Sequence, residues 1–96
     1  MSFNGQRYLT KGVQAKIPFE LQLFMWALIA HLSEPKDYLQ VFRLSVSDKG
    51  NQHIVHKQEV PAYSREYEVQ TDTPVNAKVY VIEHGDHSTM LLAEEY

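Results

Sequence analysis

The residues best suited to chemistry in this chain are its histidines and carboxylates, and their spacing limits what they can do. His84-Gly85-Asp86-His87 sets two imidazoles and a carboxylate on one tight turn, which is the beginning of a zinc or nickel site. Such a site needs three or four ligands and supporting hydrogen bonds. The remaining donors, His31, His53 and His56, lie far along the chain, and there is no cysteine. We therefore read the turn as surface histidines and expect no metal. His53 and His56 are three apart in a predicted strand, so they point to opposite faces and cannot share an ion. His56 falls on the side of Ile54, which marks it as a partly buried, hydrogen-bonded imidazole rather than a base. Glu20 and His31 share a helix stripe but are separated by about 16 Å at helical rise, too far for an acid–base pair. Glu66 and Glu68 share a strand face, where paired carboxylates serve to solvate an edge. Gly5, Gly12, Gly50 and Gly85 form neither a G-x-G-x-x-G fingerprint nor a Walker loop, and no serine sits in a G-x-S-x-G elbow. The sequence implies no catalytic residue and no cofactor.

The element that must position everything else is the stretch from Ile17 to Ser33, which holds the sole tryptophan. Pro18 suits a first helical position, and Glu20 faces the positive end of the helix dipole. Leu21, Phe24, Met25, Leu28, Ile29 and Leu32 recur at helical spacing and form one broad apolar face. Phe19, Leu23, Trp26 and Ala30 form a second stripe, so the helix is apolar nearly all round and should be covered on two sides. Phe19, Leu23 and Trp26 are the candidate contact residues, because aromatic anchors dominate interfaces. The competing reading is that the chain's own core covers them.

Around this helix the sequence predicts strands at Gln6–Thr10, Tyr38–Val46, Gln52–Val60, Tyr63–Gln70, Lys78–Glu83 and Ser88–Ala93. Gly12 is expected to take a positive φ where the chain leaves the first strand, and Pro35 stops the helix. Asp48-Lys49-Gly50-Asn51 and His84-Gly85-Asp86-His87 read as hairpin turns. The expected fold is α+β: one long N-terminal helix packed on a curled, mostly antiparallel sheet in the order β-α-β-β-β-β-β, with residues 1–96 forming one domain.

Composition narrows the function classes. Hydrophobic residues make up 44% and charged residues 22% of 96, as in ordinary globular chains. The absence of cysteine excludes disulfides and fits a reducing compartment. Residues 1–7 lack the basic flank and apolar core of a signal peptide, and the helix is too short and too polar to span a membrane. A cytoplasmic protein is expected. The net charge of −3 is divided unevenly, with seven Lys/Arg against four Asp/Glu up to Gln58 and two against eight from Glu59 onward. Arg7, Lys11 and Lys16 beside Tyr8 raise nucleic-acid binding, but a pI near 5.9 opposes it.

Three stretches taken together resemble a known family: Arg7-Tyr8-Leu9-Thr10-Lys11-Gly12-Val13 running through Ile17-Pro18 to Trp26; Asp37-Tyr38-Leu39-Gln40-Val41-Phe42; and His56-Lys57-Gln58-Glu59-Val60-Pro61. The family is a set of short uncharacterised bacterial proteins, a staphylococcal-type domain of unknown function. The resemblance spans about the first two thirds of the chain and implies a small cytoplasmic domain. It supplies no activity, cofactor or catalytic residue. The leading expectation is a non-enzymatic protein-interaction module, self-associating as a homodimer through Phe19, Leu23 and Trp26. The alternative is a ligand-binding protein or enzyme with a cleft between helix and sheet near His56 and Glu59.

Overall fold

The computed structural model describes residues 3–96. Its sheet has six strands: β1 (Gln6–Leu9), β2 (Leu39–Val46), β3 (Gln52–Gln58), β4 (Tyr63–Val69), β5 (Ala77–Glu83) and β6 (His87–Leu92). They lie in the order β1-β6-β5-β2-β3-β4. β1 runs parallel to β6, whereas the other neighbours pair antiparallel, so the sheet is mixed. Between β1 and β2 come two helices, α1 (Lys11–Lys16) and α2 (Phe19–His31), and a 3-10 turn follows β6 at Ala93–Glu95. This corrects the expected fold. In place of one long helix in the order β-α-β-β-β-β-β there are two short ones, and the order is β-α-α-β-β-β-β-β.

The chemistry at the ends of α1 explains the division. Thr10 caps α1, its hydroxyl accepting the Val13 N–H at 3.3 Å. Ile17 precedes Pro18 and is extended, at φ −103° and ψ 121°, because the pyrrolidine ring disfavours helical geometry before it. Pro18 is the N-cap of α2 rather than its first helical residue. Gly12 lies inside α1 and not at a left-handed corner; positive φ is found at Gly50 and Gly85 instead. The exposed Glu95 fastens this segment to the chain's end. Its carboxylate accepts from the Thr10 hydroxyl at 2.6 Å, the Gly12 N–H at 3.2 Å and the Leu92 N–H at 2.8 Å. The Thr10 bond, then the backbone bonds, hold the Glu95 carboxyl below its ordinary value.

Both helices lie on one face of the sheet. Val13 of α1 and Leu21, Met25, Trp26 and Ile29 of α2 pack with Phe42, Leu44, Ile54, Val79, Val81, Met90 and Leu92, which alternate inward along the strands. Phe3 is buried in the same core, with its N–H donated to the Glu83 carboxylate at 2.7 Å. On the opposite face Val41, Val55, Tyr80 and Ile82 are half-buried.

Polar side chains also point inward. Gln52 donates to the carbonyls of Ser45, His53 and Val75 and accepts the Val75 N–H at 2.8 Å. It thereby anchors the far end of the long loop between β4 and β5. At the other end of the molecule Gly5 approaches the Asp86 carbonyl so closely that a Cβ would overlap that oxygen. Backbone atoms on both sides leave no soft neighbour to move. We therefore expect Gly5→Ala to cost about 1–3 kcal/mol in urea denaturation, as overpacking does. A variant as stable as the wild type would show that β1 can leave β6 without loss.

Candidate functional site

The three predicted contact residues are separated by the fold. Phe19 is 64% exposed and Leu23 51%, whereas Trp26 is only 6% exposed and belongs to the core. The Arg7 guanidinium lies over the Trp26 ring, 4.8 Å from its centroid, so a cation from β1 covers the indole. The exposed positions of α2 include Phe19, Glu20, Leu23, Ala27, Ala30 and His31. At 3.6 residues per turn these fall within an arc of about 120°. Its apolar residues run from Phe19 across to Ala27, and Glu20 and His31 lie together along one edge, near opposite ends of the helix. His31 donates Nδ1–H to the Ala27 carbonyl at 2.8 Å, which leaves Nε2 as the ring's outward group.

The other chemical candidates take simpler places. In the β5–β6 turn the His84 and His87 rings stack at 4.6 Å, and Asp86 accepts from His87 Nδ1 at 2.6 Å. That bond holds the Asp86 carboxyl below its ordinary value. Among the described residues no three His, Asp or Glu side chains gather as a metal would require. His53 faces away from the helices, bonded to Glu66 at 2.8 Å and Ser45 at 3.2 Å. Glu68 accepts from Asn51 and Ser47; the Asn51 bond comes first in lowering its carboxyl. The basic residues are scattered: Arg7 covers Trp26 on the helix side, Lys11 and Lys16 belong to α1, and Arg43 and Lys57 face outward from β2 and β3.

His56 is the most constrained titratable group. It is fully buried, stacked on Phe42 at 4.4 Å and met edge-on by Tyr63 at 5.3 Å. Gln40 spends its amide hydrogens on Gln58 Oε1 at 2.7 Å and the Asp37 carbonyl at 2.9 Å. Its oxygen therefore accepts from His56 Nε2–H at 2.7 Å, and His56 Nδ1 is left buried without a partner. Gln58 continues the chain, accepting the Asp37 N–H and donating to the Pro61 carbonyl. Asp37 completes it by accepting the N–H groups of Leu39, Glu59 and Val60. Nothing here resembles a base with access to substrate.

A cleft of about 390 Å³ does open between the C-terminal half of α2 and β4, lined by Leu28, Leu32, Gln58, Tyr63, Arg65 and Tyr67 among others. His56 and Glu59, the residues expected there, do not line it. Strand alternation was the signal for the residues that do, since Tyr63, Arg65 and Tyr67 share one side of β4.

Burial lowers the His56 pKa to about 4 from an ordinary 6.5. The unfolded chain therefore takes up a proton that the folded one refuses between pH 6.5 and 4, and stability falls as pH falls through that window. The full loss is about 3 kcal/mol, reached near pH 4. We expect His56→Leu to flatten this slope, while costing about 1–3 kcal/mol at pH 7 for the orphaned Gln40 oxygen. An unchanged slope between pH 6.5 and 4 would mean that His56 is not the responsible group.

The comparisons with known proteins give a family and a fold and name no activity. A crystal structure of a protein of unknown function from Enterococcus faecalis superposes with a TM-score of 0.84 at 20% identity, covering 100% of this chain and 96% of that one. That likeness shows a shared fold. No curated protein matches the chain. The family model described as Staphylococcal protein of unknown function (DUF960) matches residues 6–95, and the chain belongs to that bacterial family, whose function is not known.

Proposed function

We propose that the chain is a single-domain, cytoplasmic, non-enzymatic interaction module, and that its partner is a second copy of itself docked through the solvent side of α2. The observation that carries this reading is the uncovered arc of Phe19, Leu23, Ala27 and Ala30. A solvated helix face ordinarily carries charged residues. The order of side chains along the arc favours a second copy over an unrelated partner. Bulk lies in the N-terminal half, at Phe19 and Leu23, and small residues in the C-terminal half, at Ala27 and Ala30. Antiparallel pairing about a two-fold axis sets Phe19 against the partner's Ala30 and Leu23 against the partner's Ala27. The same operation brings Glu20 beside the partner's His31. An isologous interface requires such self-complementarity. In support of a soluble module, no described helix is long and apolar enough to cross a membrane.

Sedimentation equilibrium tests the proposal. We expect a concentration-dependent dimer for the wild type and a folded monomer for Leu23→Glu. Trp26→Ala behaves differently, losing about 3–5 kcal/mol of stability because a cavity opens in the core. A wild type that stays monomeric at millimolar concentration, or a Leu23→Glu variant that still dimerises, overturns the reading.

A further inference from the structure

The cleft between α2 and β4 combines a fixed apolar wall with a charged donor that the fold does not use. Tyr67 is held edge-on by Phe24 at 5.8 Å and Tyr63 edge-on by His56, so both phenol rings are positioned before any ligand arrives. Burial raises the Tyr63 phenol above its ordinary value, and the neighbouring Tyr67 adds to the rise. Leu28 of α2 and Leu32 just after it supply the opposite wall. The polar groups of the cleft are mostly committed. Gln58 is occupied by Asp37, Gln40 and Pro61, and the Glu34 carboxylate faces the Lys36 ammonium at 3.6 Å. Arg65, between the two tyrosines on the same side of β4, forms no ion pair among the described residues.

We propose that this cleft binds a small organic acid, a single carboxylate on an apolar or aromatic body, with Arg65 as the anion-binding group. The planar guanidinium offers a fork of donors matched to a carboxylate. The tyrosine rings and leucines take the body, and the volume lies within the range of small-molecule sites. A phosphate of similar size would waste the apolar walls, and a neutral aromatic would leave the exposed guanidinium without a counter-charge. The cleft borders the proposed pairing surface at His31, which lines it, while Arg65 lies on β4 outside the α2 arc.

Phenylacetate is the probe, titrated into the intact protein and followed by amide chemical shifts, with phenylacetamide as its uncharged counterpart. We expect saturable shifts at Tyr63, Arg65 and Tyr67 with an affinity of about 1 mM or tighter. Phenylacetamide and the Arg65→Gln variant should each bind at least tenfold more weakly, and Arg65→Lys should fall between, since it keeps the charge and loses the fork. Arg43→Gln, on the opposite face, should bind as the wild type does. The amide spectrum of Arg65→Gln verifies that it remains folded. No saturable shift at about 10 mM phenylacetate, equal binding of the amide, or unaltered binding by Arg65→Gln overturns the proposal.

Discussion

The structure depends on one constraint: thirteen residues of α2 must supply most of the cover for the inner face of a six-stranded sheet. A sheet face lined by Phe42, Leu44, Ile54, Val79, Val81 and Met90 cannot be left wet. Leu21, Met25, Trp26 and Ile29 are therefore all committed to it, with Phe24 and Leu28 packed at the flank. Recruitment of Trp26 to the core leaves the helix with no polar side to show. What remains outside is Phe19, Leu23 and two alanines, with Glu20 and His31 as the only polar residues of the exposed arc. A helix this short is not stable by propensity, so its packing on the sheet and its exposed apolar arc have the same origin in composition.

The second requirement is that polar backbone groups at the ends of the sheet be satisfied. The buried Glu83 carboxylate does so beside Phe3, and neutral amides do so elsewhere. Gln52 secures the β4–β5 loop, and Gln40 with Gln58 secures the corner after α2. An amide offers donors and an acceptor at once, so it can satisfy several backbone groups at a smaller desolvation cost than an ion. The weak point is His56, which completes this chain with one nitrogen and leaves the other unpaired. Acid should loosen the molecule first at this corner, beside the cleft wall formed by Gln58 and Tyr63.

Local patterns in the sequence carried much of this. The α2 segment was visible from its 3.6-residue spacing, both hairpins from their turns, and β4 from its alternation and its charges. His56 was visible as a buried imidazole because it shares a side with Ile54. The single-helix expectation failed because Thr10 and Pro18 set two boundaries in nine residues, and a six-residue helix shows almost no periodicity. The parallel pairing of β1 with β6 depends on register between residues some eighty positions apart, which no local pattern encodes. Phe3 was missed for the same reason, since its burial depends on Glu83. Trp26 could not be assigned to core or contact surface from spacing alone, because it sits where the two stripes of α2 meet.

The central claim is that the uncovered arc of α2 meets the same arc of a second copy in antiparallel register. Isotope-filtered NOE spectroscopy on an equal mixture of labelled and unlabelled protein tests this without altering a residue. The account predicts intermolecular contacts between the Phe19 ring and the Ala30 methyl, and between the Leu23 and Ala27 methyls. Intermolecular contacts confined to Val41, Val55 and Tyr80 on the opposite sheet face, or none at concentrations where the protein is dimeric, would contradict it.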